Sequence, residues 1–336
     1  MKKILLSLIN ILVPLLIPAA SAPNADPEIL KAKSGKRDYA GVFPAHVKTI
    51  AVITPASYPS PSYTKWGMNM LRNAGYKIRV MPHVFTKPAG VEKNSVLAIP
   101  VEQRVRDFEA AWNDKNVDMI ICARGGRGTD DLVEHINWSK LPRRPELYVM
   151  GYSDVTFLLC AMSVKGYGRP VAGPVIASLP SLEISMIPQV KKMFHGEELT
   201  PVKLKTLAPG DCSGKMFACL LSRLAQAVRK NYEVSSRGKI IILESVRITP
   251  EKIRTDLEYL LNAKFFEGAA GIVFGHIHRC GNDAVINKIL QDFARKVKIP
   301  VYRGLPFGHT DRHMAIDFAR EAVIENGVIR FPAVKK

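Results

Sequence analysis

The sequence predicts an α/β fold in two domains, and three observations carry that expectation. Short apolar runs alternate with amphipathic stretches, the pattern of a parallel sheet with helices on both faces. A proline-rich interval with Pro170, Pro174, Pro180 and Pro188 interrupts the alternation, which then resumes to the end of the chain. The 336 residues, 47% hydrophobic and 23% charged, have globular composition and enough length for two cores.

Residues 1–22 read as a signal peptide: Lys2 and Lys3, an apolar stretch from Ile4 to Ile17, then Ala19, Ala20, Ser21 and Ala22. This predicts export, to the periplasm, with cleavage between Ala20 and Ala22 and no stable membrane span afterwards. Asn10 and Pro14 interrupt the stretch, which is shorter than the roughly 20 apolar residues of a spanning helix. An uncleaved membrane anchor is the rival reading. Residues 23–45, rich in Pro, Ala, Lys and Asp without a sustained period, predict a flexible arm.

Residues 46–165 predict the N-terminal domain. Its strands are Val47–Thr54, Tyr76–Met81, Val117–Cys122 and Leu147–Gly151; its helices are an amphipathic stretch ending at Asn73, then Val101–Asp114, Asp130–Ile136 and Asp154–Val164. Residues 166–205 predict a crossover or linker. Residues 206–336 predict the C-terminal domain, with helices over Met216–Val228, Pro250–Leu261 and Asn282–Phe293. Strands are expected at Lys239–Leu243 and Gly271–Phe274, and strand-like ends at Val301 and Ala322–Ile324.

The formal charge is +18, and +16 once Lys2 and Lys3 are removed, which suits an acidic polymer as partner. The charges are scattered among periodic apolar residues, and Arg124-Gly125-Gly126 occurs once, beside an apolar strand, so no nucleic-acid partner is expected. The cysteines, Cys122, Cys160, Cys212, Cys219 and Cys280, are odd in number and form no disulfide framework. Cys122 and Cys160 lie in apolar runs and read as core residues.

In a doubly wound sheet, ligands gather past the carboxyl ends of the strands. Three such places are polar. Gly151-Tyr152-Ser153-Asp154 turns from strand to helix and resembles a nucleophile elbow centred on Ser153, while the run taken alone favours Ser153 as a helix N-cap with Thr156 supporting the turn. Arg124-Gly125-Gly126-Arg127-Gly128-Thr129-Asp130 has glycines that expose backbone N–H groups to an oxyanion, or make a plain turn. Glu244 leaves a buried strand, where it either caps the next helix or orients a histidine. His309, in Pro306-Phe307-Gly308-His309, is a base if it reaches a nucleophile and structural otherwise. His276, His278 and Cys280 share one face of an extended segment, giving either a metal site or a polar loop.

Taken together, these landmarks resemble the LD-carboxypeptidase family, which also contains the microcin C self-immunity hydrolases. The resemblance rests on Arg104 to Ala161 with its glycine loop and Gly151-Tyr152-Ser153-Asp154-Val155-Thr156. It continues through Ile242-Leu243-Glu244, Gly271 to Gly275 with Cys280, and Ile299-Pro300-Val301 leading to His309. It implies a class I glutamine amidotransferase-like (flavodoxin-like) N-terminal sheet and a smaller C-terminal α/β domain. It further implies a triad in which Ser153 attacks, His309 moves the proton and Glu244 holds the imidazole, with Gly126 and Asp154 N–H groups as oxyanion donors. Arg124 and Arg127 are the candidate partners of a substrate carboxylate. The implied reaction releases terminal D-alanine from a peptidoglycan tetrapeptide; no metal and no other cofactor is expected, and a homodimer is. Rival readings are a hydrolase of peptidyl-nucleotide antibiotics and a non-catalytic exported solute-binding protein.

Overall fold

The computed structural model describes residues 37–87 and 98–334. The expected signal peptide and the first part of the arm lie outside these residues. No helix among the described residues is long and apolar enough to cross a membrane. Residues 37–45 are not an arm. Tyr39, Val42 and Phe43 are buried, the Tyr39 hydroxyl donates to Leu179 O at 2.8 Å, and Arg37 Nε donates to Leu182 O at 2.7 Å. Three apolar side chains in seven positions anchor a segment whose composition otherwise reads as polar linker.

Among the described residues the chain forms two sheets. The first is built from β1 (Thr49–Ile53), β2 (Lys77–Val80), β3 (Met119–Cys122), β4 (Tyr148–Gly151) and β5 (Arg169–Ala172), joined by a late strand, β12 (Ile316–Asp317). Its order is β2-β1-β3-β4-β5-β12, parallel except for β12, which runs antiparallel to β5. β3 and β4 are wholly buried, which is why they read as continuous apolar runs, whereas the edge strand β2 alternates in exposure. The helices of this part are α1 (Pro61–Asn73), α2 (Val101–Asn113), α3 (Thr129–His135), α4 (Thr156–Lys165) and α5 (Met186–Phe194).

The expected crossover at 166–205 is therefore largely part of the first domain. Pro170 sits within β5, Pro180 inside a 3₁₀ turn at Ile176–Ser181, and Pro188 in the first turn of α5, where a missing N–H leaves no bond unmade. The 3₁₀ turn lies so close to α1 that a Cβ on Gly67 would come within 2.1 Å of Ile176 O.

The second sheet has the order β6-β14-β13-β8-β9-β10-β11-β7. These strands are β6 (Val202–Lys203), β7 (Lys205–Ala208), β8 (Cys212–Leu220), β9 (Lys239–Val246), β10 (Gly271–His278), β11 (Val301–Arg303), β13 (Glu321–Glu325) and β14 (Val328–Arg330). β8 to β11 are parallel and the flanking pairs antiparallel. The helices here are α6 (Leu221–Arg229), α7 (Pro250–Asn262) and α8 (Asp283–Lys296). The expected helix at Met216–Val228 is corrected: Met216–Leu220 completes β8, and the helix starts at Leu221. A central strand buried on both faces has no period-two signature, so its apolar run merges with the helix that follows.

After β11 the chain crosses back, and β12 adds to the first sheet, where Arg169 Nη2 lies 2.6 Å from the buried Asp317 Oδ2. The segment between β11 and β12 carries His309, so a residue from the C-terminal half is delivered to the edge of the N-terminal one.

Candidate active site

The nucleophile turn begins at the end of β4. A Cβ on Gly151 would meet Val155 Cγ1 at 2.7 Å, so the turn closes only around a glycine. Tyr152 is extended, and Ser153 follows at φ +65°, a left-handed conformation that costs a side-chain-bearing residue about 1 kcal/mol. A 3₁₀ turn at Ser153–Val155 then leads into α4, and the Thr156 hydroxyl donates to Ser153 O at 2.6 Å. Ser153 Oγ is not spent on a cap. It lies 2.9 Å from His309 Nε2.

His309 Nδ1 is 2.8 Å from Glu244 Oε2. An ionised carboxylate only accepts, so Nδ1 carries the proton and the Nε2 lone pair of the neutral ring faces the serine hydroxyl. Glu244 lies inside β9, which runs two residues beyond it, and is fully buried. Opposite it the β9–β10 pairing shifts between Phe274 and Ile277, a bulge that makes room for the His309 loop. A Cβ on Gly275 would come within 2.4 Å of Phe307 O, and one on Gly308 (φ +120°) within 3.0 Å of Glu244 Cβ. Glycine at both positions lets the loop press against Glu244.

The glycine loop after β3 covers the other side of Ser153. A Cβ on Gly125 would lie 2.8 Å from Ser153 Cβ and 3.1 Å from its Oγ; one on Gly126 (φ +128°) would collide with Ser57 Oγ. Ser57 Oγ accepts from Arg127 N at 3.0 Å and so fixes the loop from below. Arg124 braces it, donating from Nε to Gly125 O at 3.0 Å and from Nη1 to Tyr58 O at 3.2 Å. Arg127 is exposed.

Several contributors were not singled out by sequence reasoning. The Asp154 carboxylate points away from Ser153: Oδ1 lies 2.6 Å from Arg223 Nε on α6, and Oδ2 accepts from Thr129 N at 3.0 Å and Thr129 Oγ1 at 2.9 Å. Burial raises its pKa, and Arg223 and Thr129 oppose that shift. It ties the nucleophile turn to the start of α3 and to the second domain. Tyr152 packs in tilted contact with both His309 and His313, with ring centroids 4.9 and 4.5 Å away. His313 Nδ1 lies 2.9 Å from Gly308 N and 2.7 Å from Gly308 O, holding the turn before His309. The one available signal was spacing, His313 standing four residues after His309 in a turn-rich segment.

Burial pushes the His313 imidazole down to about 3, far below its ordinary value near 6.5. Between pH 6.5 and 3 the unfolded chain therefore binds a proton that the folded one refuses, so stability is lost as pH falls through this window. This group alone contributes up to about 1.4 kcal/mol per pH unit there. Urea titrations at pH 7.5, 5.5 and 4.5 should show a steeper loss for the wild type than for His313→Asn, and parallel curves would remove His313 as the source.

The expected face of His276, His278 and Cys280 does not converge on a point. His276 Nε2 is 3.1 Å from Arg312 O, and Cys280 Sγ donates to His278 O at 3.4 Å. Among the described residues no group of three His, Cys, Asp or Glu is placed to hold a metal ion.

Comparison with known proteins fits this geometry. The LD-carboxypeptidase N-terminal domain matches residues 50–169, and the LD-carboxypeptidase C-terminal domain matches residues 213–324. The chain belongs to the LD-carboxypeptidase family. A probable murein peptide carboxypeptidase of Bacillus subtilis is 26% identical over 83% of this chain and 92% of its own length. A murein tetrapeptide carboxypeptidase of Pseudomonas aeruginosa is 24% identical over 84% and 94%. The crystal structure of muramoyltetrapeptide carboxypeptidase from Oxalobacter formigenes superposes with TM-score 0.72 at 21% identity, covering 86% of this chain and all of that one. An MccF-like protein from Streptococcus pneumoniae in complex with AMP gives TM-score 0.73 at 18% identity, over 86% and 100%. Both confirm the two-domain α/β fold.

Arg127 stands at the exposed tip of the glycine loop, Ser245 follows Glu244 in the buried part of β9, and Cys219 lies near the end of β8.

Proposed function

We propose that the protein is a serine LD-carboxypeptidase that releases terminal D-alanine from peptidoglycan tetrapeptides through an acyl-enzyme on Ser153. The observation that carries this reading is the continuous relay from Ser153 Oγ to His309 Nε2 at 2.9 Å and from His309 Nδ1 to Glu244 Oε2 at 2.8 Å. His309 takes the serine proton as Oγ attacks the carbonyl of the L,D bond, and Glu244 stabilises the imidazolium. The oxyanion is received by N–H groups of Gly126 and Asp154, beside Ser153. His309 then returns the proton to the leaving amine, and water, activated by the same imidazole, hydrolyses the ester. Arg124 or Arg127 meets a substrate carboxylate. The murein activities of the relatives support the substrate class.

The strand order β2-β1-β3-β4-β5 supports the flavodoxin-like, class I glutamine amidotransferase-like assignment of the first sheet. The sequence from Lys2 to Ala22 supports export, and with it a periplasmic site of action.

The test is incubation of the purified protein with disaccharide tripeptide, tetrapeptide and pentapeptide, followed by mass spectrometry. Loss of one alanine from the tetrapeptide alone is expected. An untouched tetrapeptide together with hydrolysis of a peptidyl nucleotide would replace the substrate and keep the chemistry. Absence of fluorophosphonate labelling in folded protein would point to a binding protein instead.

A further inference from the structure

Cys160 lies on α4, in the layer of the first sheet, and Cys219 on β8, a central strand of the second. They are separated by 59 positions in sequence, yet their sulfurs are 3.5 Å apart. Both are buried, at 2% and 0% exposure. Burial raises the Cys160 thiol well above its ordinary range, and the neighbouring Cys219 adds to the effect. Neither cysteine takes part in the relay described above.

We propose that Cys160 and Cys219 form a disulfide site that covalently joins the two domains when the chain folds in the presence of a disulfide donor. A disulfide holds its sulfurs about 2.0 Å apart, so the pair must approach by about 1.5 Å. In the finished fold both sulfurs are shielded from solvent, so the exchange belongs to folding, before burial. One cysteine, as thiolate, attacks a sulfur of the donor, forming a mixed disulfide and releasing one donor thiolate. The second, also deprotonated, displaces the remaining donor half and closes the Cys160–Cys219 bond. The two cysteine sulfurs lose two electrons and two protons, and the donor disulfide becomes two thiols.

The bond leaves the nucleophile turn in place. Cys219 gives up only its weak S–H contact to Thr156 Oγ1 at 3.4 Å, while that oxygen still accepts from Leu220 N at 3.2 Å and its hydrogen still serves Ser153 O. Cross-linking is thus a stability device, independent of the proposed reaction.

The experiment unfolds the purified protein, refolds it either with a reduced and oxidised glutathione mixture or with excess reductant, and counts alkylatable thiols after denaturation. Three are expected with glutathione and five with reductant. The unreduced digest should contain one peptide pair joined through Cys160 and Cys219. The glutathione-refolded protein should melt about 5 °C higher, since the bond closes a long loop of the unfolded chain. In Cys160→Ala that rise should vanish, and all four remaining thiols should be alkylated. Five alkylated thiols after glutathione refolding, or a cross-link through any other cysteine pair, would overturn the proposal.

Discussion

Ser153→Ala lowers kcat on the tetrapeptide by about 10⁴-fold or more while leaving the folded protein as stable as the wild type. The size of the effect follows from the chemistry: without the hydroxyl no acyl-enzyme forms, and only substrate positioning and oxyanion stabilisation remain. KM should move by a few-fold at most, because Oγ acts in the transition state more than in binding. Because His309 works through Ser153, the double variant Ser153→Ala, His309→Ala should be hardly slower than either single one. Steady-state kinetics on the muropeptide, paired with loss of fluorophosphonate labelling, checks this. A Ser153→Ala protein that retained a tenth of the activity would remove Ser153 as nucleophile.

The first domain was legible because its strands and helices alternate at short, regular spacing, and the glycines at its turns are visible as such. What the sequence hid was long-range. Val171–Ala172 pairs with Ile316–Asp317 across nearly half of the chain, and nothing local announces that the C-terminal half returns to the first sheet. The prolines at 166–205 were read as breakers, although Pro170 lies within β5 and Pro188 sits in the first turn of α5, where no N–H bond is lost. Met216–Leu220 looked helical because a strand buried on both faces shows no alternation.

The site divides along the same line. Ser153, Glu244 and His309 stand beside recognisable local features, a strand-to-helix turn, a carboxylate in an apolar strand and a turn-rich glycine segment. Their supports were harder to see because their contacts form only in the folded chain. Arg223 reaches Asp154 from α6, and His313 fixes Gly308 only once the loop has folded back on Tyr152. Asp154 was read for its amide alone, since its carboxylate finds its partners, Thr129 and Arg223, only in the folded chain.

Glu244→Gln separates the carboxylate's catalytic role from a structural one, and the two readings predict opposite results. As a carboxylate, Glu244 accepts from His309 Nδ1 and so leaves Nε2 free to take the serine proton. Glutamine can turn its NH₂ toward Nδ1, which then becomes the acceptor and moves the ring proton to Nε2. That tautomer donates to Ser153 where it must accept, and it has lost the negative charge that stabilises the imidazolium. A fall in kcat/KM of about 10³–10⁴-fold is expected. Stability should not fall with it. Glu244 is fully buried, and its Oε1 has no hydrogen-bond partner among the described residues, so its charge is held at a desolvation cost that a neutral amide of the same shape avoids. The Glu244→Gln protein should therefore melt at the wild-type temperature or above it while being nearly inactive. Lower melting with activity within tenfold of the wild type would mark Glu244 as structural and leave His309 to be oriented by the Gly308–His313 contact instead.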